Sequence, residues 1–204
     1  GRLLFSSGET TFSSTDLLRK ELFEMNLRSI NLPVDYMQRH GIDVSRLHGL
    51  LQKFASLKVC VIGDLIIDEY INCQPLGMSQ EDPTIVVTPI DSDHFIGGAG
   101  IVAAHAVGMG AQVQFVSVTG ADVSGEFAKT RLRDEGVTAH LLVDDNRPTT
   151  LKQRYRCKGK TLLRVSHLHQ GVVSIQLQAR LLEQIEDAIL GADLLVFSDF
   201  NYGC

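Results

Sequence analysis

A short continuous apolar run stopped by glycine or aspartate, met three times along the chain, limits the possible folds more than any other feature. Val59-Cys60-Val61-Ile62 stops at Gly63-Asp64, Gln114 to Val118 is followed by Gly120, and Leu194 to Phe197 stops at Ser198-Asp199. A strand with one wet face alternates, whereas a strand buried on both faces reads as an unbroken run, and such strands belong to parallel sheets covered by helices. Helical segments lie between the runs. Ala99 to Met109 is apolar nearly all round, which predicts a helix inside the core with His105 as a satisfied core histidine. Gly125 to Glu135 is amphipathic through Phe127, Ala128 and Leu132. Gln176 to Leu190 places Leu177, Leu181, Ile185 and Ile189 on one stripe, with Gly191 where a helix-terminating glycine belongs. Strands alternating with helices predict an α/β layer fold with right-handed crossovers.

Two pieces break the alternation. Pro83 to Ile90 is β-rich with prolines near both ends, an edge-strand signature. Thr149 to Val165 alternates around Lys158-Gly159-Lys160 and reads as a hairpin. With Tyr70 to Cys73 these predict a small antiparallel sheet inserted into the frame, as a lid or an interface. Upstream, residues 1–57 carry no strand signal and read as a helical linker. Phe12 to Leu18 has a capped helix start, Arg19 to Asn31 continues it, and Pro33 stops it. Ser45 to Ser56 forms a second helix with Leu47, Leu50, Leu51 and Phe54 on one face.

With 44% hydrophobic residues in 204, the chain can bury a sizeable core. No apolar run reaches the ~20 residues of a membrane span. Nineteen basic against 24 acidic side chains, with no basic run, argue against nucleic acid as a partner. Cys60, Cys73, Cys157 and Cys204 form no Cys-x-x-Cys pair, so neither a zinc ribbon nor a dithiol motif is written, and reduced thiols in a cytoplasmic protein are expected. The start at Gly1, without a signal segment, reads as an internal fragment.

Asp64 and Asp68 follow the first run, and ligands of open α/β sheets bind at the carboxyl ends of the strands. Carboxylates there can orient the hydroxyls of a polyol, or serve only as turn caps. Gly97-Gly98-Ala99-Gly100 enters the buried helix, where missing side chains either admit a ligand to the backbone or allow tight packing. Lys152, Arg154 and Arg156 alternate onto one face, with Arg164 on the return strand, a row suited to an anion or to plain solvation. His167 and His169 lack a third metal ligand nearby. A dinucleotide fingerprint, a P-loop and a Gly-x-Ser-x-Gly elbow are all missing, which leaves dehydrogenase and hydrolase chemistry unsupported.

Val61-Ile62-Gly63-Asp64 to Asp68-Glu69-Tyr70, then Gln80 to Val87, then Gly97-Gly98-Ala99-Gly100, resemble the ribokinase-like (PfkB-type) carbohydrate kinases, nearest the heptose-phosphate kinases of ADP-heptose synthesis. Thr150 to Arg154, Leu163-Arg164 and Ser198 to Gly203 continue the likeness in the same order, over about residues 58–204. The resemblance implies a ribokinase-like parallel sheet with an inserted β lid, its pieces at about 70–95 and 149–166. It implies a sugar or sugar-phosphate substrate with ATP and Mg2+ in the intact protein, none bound to this fragment. The implied substrate residues are Asp64, Asp68, Gly97, Gly98, Lys152, Arg164 and Asp199, with no catalytic residue within the chain. The Gly-Ala-Gly-Asp element with the base would lie downstream, so the chain alone is expected to be inactive. A homodimer through the lid is also implied. Phe12 to Leu18 resembles the end of a cytidylyltransferase-like domain, which implies a fused nucleotidyltransferase and kinase. Ile101 and Tyr202 depart from the family's asparagine and lysine, and they favour the alternative of a degenerate sugar or sugar-nucleotide binding and dimerisation module.

Overall fold

A computed structural model describes residues 33–204, so the helix start at Phe12 to Leu18 and its continuation to Asn31 lie outside the described residues. The described residues fall into two units, 33–44 and 45–204. In the first, Pro33 stands at the N-cap of the short helix α1 (Val34–Arg39), where a missing amide costs nothing because the first helical turn leaves its amides free. Helix α2 (Val44–Phe54), which lies in the second unit from Ser45 on, has the predicted apolar face but leaves Leu47, Leu50 and Leu51 exposed.

The frame is a four-stranded parallel sheet in the order β5-β4-β1-β8, built from β1 (Lys58–Gly63), β4 (Gln112–Thr119), β5 (Thr138–Val143) and β8 (Leu194–Ser198). Alternate residues of β1 go to opposite sides. Val59 and Val61 join Val113 and Phe115 under α3 (Gly98–Gly108) and α4 (Val123–Asp134). Cys60 and Ile62 join Val116 and Leu142 under α5 (Ile175–Ile189). Covering both faces is what makes the β1 run continuous in sequence. β5 has no such signature: it is an edge strand with one buried residue, Leu142, and His140 bonded to Gln114.

Helix α3 is buried along one stripe only, through Ala99, Gly100, Ala103 and Ala106. Small side chains there bring the helix close to the sheet, and His105 falls on the exposed face, so it is not the core histidine expected from composition.

The second sheet has the order β3-β2-β6-β7, from β2 (Leu65–Met78), β3 (Ile85–Gly97), β6 (Thr150–Cys157) and β7 (Lys160–His167). The expected antiparallel sheet is in fact mixed. β2 pairs antiparallel with β3 and β6 with β7, but β2 and β6 run parallel, from Ile66 beside Thr150 to Asn72 beside Arg156. Two hairpins sharing a seam both leave the frame in the same direction, which makes the seam parallel. One residue, Asp64, separates β1 from β2, and none separates β3 from α3. The lid sheet therefore grows directly out of the frame.

Candidate substrate site

Asp68 lies inside β2, not just beyond the first strand as its spacing suggested. Its cross-strand neighbours are Phe95 on β3 and Lys152 on β6, which puts all three on one face of the lid. On the same face Tyr70 stands between Asp93 and Arg154, and Arg154 opposes Arg164. Arg154 reaches along the sheet to pair with the Asp68 carboxylate through Nη1 and Oδ1, and both side chains are about a quarter exposed, 22% and 23%. That pairing raises the Arg154 pKa, the hydrogen bond outweighing partial burial. The Tyr70 ring lies 5.2 Å from the Arg154 guanidinium carbon and 5.4 Å from that of Arg156. The predicted alternation of Lys152, Arg154 and Arg156 is realised, opposite Asp68, Tyr70 and Asn72.

Gly97 ends β3 directly beneath Asp68. A Cβ built at Gly97 would meet Asp68 Oδ2, so the bare glycine lets that carboxylate lie against the entrance to α3 without shifting. Gly98, at φ +57°, has a different reason to be glycine: a Cβ would strike the Asp64 carbonyl oxygen and come within 2.9 Å of Ile66 Cγ1. Gly97, Asp68 and Lys152 thus come together, Arg154 joins them, and Arg164 is exposed at the rim on β7.

Asp64 does not line this surface. It is buried, and its carboxylate accepts backbone N–H bonds from Phe200 (2.8 Å) and Tyr202 (3.2 Å) at Oδ2 and from Cys204 (3.1 Å) at Oδ1. The reading of Asp64 as an acceptor of substrate hydroxyls is corrected on that ground: an acceptor filled by backbone donors anchors the loop after β8. Asp199 is exposed and caps its own turn, Oδ1 accepting from the Asn201 amide at 2.6 Å. Burial pushes the Cys204 thiol up to about 11, helped by the nearby Asp64 charge.

Several supporting residues carried no sequence signal. Fully buried Ser117 donates to the Gly63 carbonyl at 2.6 Å and accepts from the Leu65 amide at 3.2 Å, fixing the β1-to-β2 crossing. Arg147 donates to the Tyr202 and Gly171 carbonyls and pairs with Asp144 at 3.0 Å. Asp122 caps α4 by accepting from Gly125 and also accepts from the Thr149 amide at 2.8 Å, which ties the start of β6 to the frame. Among the described residues no group of three His, Cys, Asp or Glu side chains is placed to hold a metal ion. No helix of the described residues is long and apolar enough to cross a membrane.

The sequence profile of the pfkB family carbohydrate kinases matches residues 56–198. The chain is 32% identical over 146 residues to the bifunctional protein HldE of a Nitratiruptor species, covering 72% of this chain and 31% of that one. It is 33% identical over 157 residues to the HldE of Bradyrhizobium diazoefficiens, covering 76% and 32%. The chain thus spans about a third of the length of these curated relatives. In fold it is similar to an Arabidopsis thaliana ribokinase solved with ribose and ATP, with a TM-score of 0.51 at 16% identity over 69% of this chain and 45% of that one. A carbohydrate kinase from Agrobacterium tumefaciens gives 0.50 at 18% identity, over 69% and 45%.

Proposed function

The chain belongs to the pfkB family of carbohydrate kinases, and from that premise we propose that residues 58–204 are the substrate-side part of a kinase domain acting on a phosphorylated sugar of the heptose-phosphate kind. MgATP would be the donor in the longer protein, and residues 1–57 would link this part to a preceding nucleotidyltransferase-like domain. The observation that carries the reading is the Asp68 carboxylate lying against Gly97, with no side chain between it and the backbone, and with Lys152 and Arg154 beside it. A carboxylate accepts hydroxyl hydrogen bonds in pairs, glycine admits the ring to the backbone, and the cations suit a phosphate. Phosphoryl transfer depends mainly on positioning and charge stabilisation, and positioning is what these residues supply.

We assign the base and the donor site to the longer protein and expect the 204-residue chain alone to bind without turnover. The four free cysteines support a reducing, cytoplasmic setting. Homodimerisation through the lid is supported by Leu76, Met78, Ile85 and Ile90, all exposed on β2 and on β3, an edge strand.

Calorimetric titration of sedoheptulose 7-phosphate and of sedoheptulose into the chain tests the reading. Tighter binding of the phosphorylated sugar, lost in Asp68→Asn, is expected. Equal binding to wild type and Asp68→Asn would refute it. The engagement of Asp68 by Arg154 favours a second reading, a sugar-binding module without turnover. Phosphorylation of either sugar by the longer protein would exclude that.

A further inference from the structure

Phe200 and Tyr202, on the loop after β8, are held far more firmly than an exposed turn requires. Both amides donate to the same oxygen of buried Asp64. Between them Asn201 takes φ +61°, its amide bonded to Asp199, and Arg147 Nη1 donates to the Tyr202 carbonyl at 3.0 Å. The two rings consequently lie nearly parallel, 15° apart in plane with centroids 6.5 Å apart. The Lys152 ammonium sits over both, 4.9 Å from the Tyr202 centroid and 5.7 Å from that of Phe200. These distances fall within the ~6 Å range of a cation–π contact.

The partners of the neighbouring cations differ. Arg154 is tied to Asp68, and Arg156 donates to the Gly159 carbonyl at 3.1 Å. Among the described residues Lys152 has no carboxylate partner within ion-pair distance, although its cross-strand neighbour is Asp68. Ring faces attract an ammonium without neutralising it, so a lysine held this way keeps its charge and its N–H donors for an incoming anion. A carboxylate at the same place would consume both. The platform also belongs to the frame while Lys152 belongs to the lid, so the contact joins the two sheets at the site.

We propose that Phe200 and Tyr202 are positioning residues that hold the Lys152 ammonium at the rim of the site, where it reads the phosphate of a phosphorylated sugar. The inference rests on the sugar-phosphate reading above and names which residues make that site anion-selective. Sequence comparison alone cast Tyr202 as a departure from the family pattern; the geometry gives it a task.

Dissociation constants for sedoheptulose 7-phosphate and sedoheptulose, measured on the full chain, separate the possibilities. Tyr202→Leu and the Phe200→Leu/Tyr202→Leu pair are expected to weaken phosphorylated-sugar binding about five- to tenfold, leave the neutral sugar unchanged and flatten the salt dependence. Tyr202→Phe, which keeps the ring, should restore wild-type binding. Lys152→Gln should give the same selective loss, and adding Tyr202→Leu to it should cost little more. Unchanged binding in the leucine variants, equal loss of both sugars, or full additivity with Lys152→Gln overturns the inference and leaves the site reading intact. Absence of wild-type binding to both sugars ends that reading and this inference with it. Should the leucine pair not fold, Tyr202→Leu alone, set against Tyr202→Phe and Lys152→Gln, still decides, because the selective loss and its rescue are read on single variants.

Discussion

Asp64 and Asp68 have the same side chain four residues apart and do opposite work. Asp64 is buried with its oxygens filled by backbone amides, while Asp68 is partly open beneath a cationic row. Asp64→Ala leaves three part-buried amides without their acceptor, at about 1 kcal/mol each, so a destabilisation of about 3 kcal/mol in denaturant unfolding is expected. Asp68→Asn should leave the unfolding free energy within about 1 kcal/mol of wild type, since a part-exposed ion pair contributes little. Gly97→Ala displaces the Asp68 carboxylate and should weaken sugar binding with little loss of stability, whereas Gly159→Ala, in open space but at φ +80°, should lower stability through backbone strain and leave sugar binding unchanged. Gly97 stood out in the sequence because a glycine-led helix start is a local signal, and Asp68 because it follows the first apolar run closely, although it lies inside β2 and not at a strand end. Asp64 was misjudged because the amides that fill it are more than 130 residues away, and Ser117 and Arg147 were illegible for the same reason.

Elements carry the pH dependence. Burial alone would raise the Asp122 pKa, but hydrogen bonds from the Thr149 amide and hydroxyl and from the Gly125 and Ser124 amides hold it below the ordinary carboxylate value of 3.8. Asp144 is held low chiefly by the Asn146 amide, with Arg147 assisting. A carboxylate that is more acidic in the folded chain contributes stability above its unfolded pKa, and that contribution fades as pH falls through the folded value. Melting temperature should therefore drop steeply on acidification below about pH 4, and less steeply in Asp122→Asn, which keeps the helix cap. On the opposite face of the lid from Asp68, Glu69 meets His94 at 3.5 Å and Gln153 at 2.8 Å, and Gln153 meets His167 at 3.0 Å, so one polar chain crosses all four strands. Glu69→Leu should loosen that register and speed amide exchange in β2 and β6 while sparing β4. β1 and β4 were readable as apolar runs because both their faces are covered, but the same reading of Leu194 to Phe197 is corrected: β8 is an edge strand that leaves Leu194, Leu195 and Phe197 exposed. β5 was not readable, because an edge strand with one buried residue lacks the pattern, and the parallel β2–β6 seam was not, because it joins segments more than eighty residues apart.

At the scale of the molecule the α/β frame with an inserted β sheet was visible from element order alone, since strand, glycine and helix recur at the spacing of a covered parallel sheet. What order could not convey was how closely the sheets are joined, with one residue between β1 and β2 and none between β3 and α3. The exposed apolar tip of the lid carries its own prediction. Sedimentation should find a concentration-dependent dimer that Leu76→Asp with Met78→Lys dissociates without lowering the melting temperature. The site itself is tested most directly by amide chemical shifts of the isotopically labelled chain during titration with sedoheptulose 7-phosphate. Shifts concentrated at Gly97, Asp68, Lys152 and Arg154 are predicted. A response confined to the far ends of the frame strands, around Lys58, Gln112 and Thr138, would contradict the account.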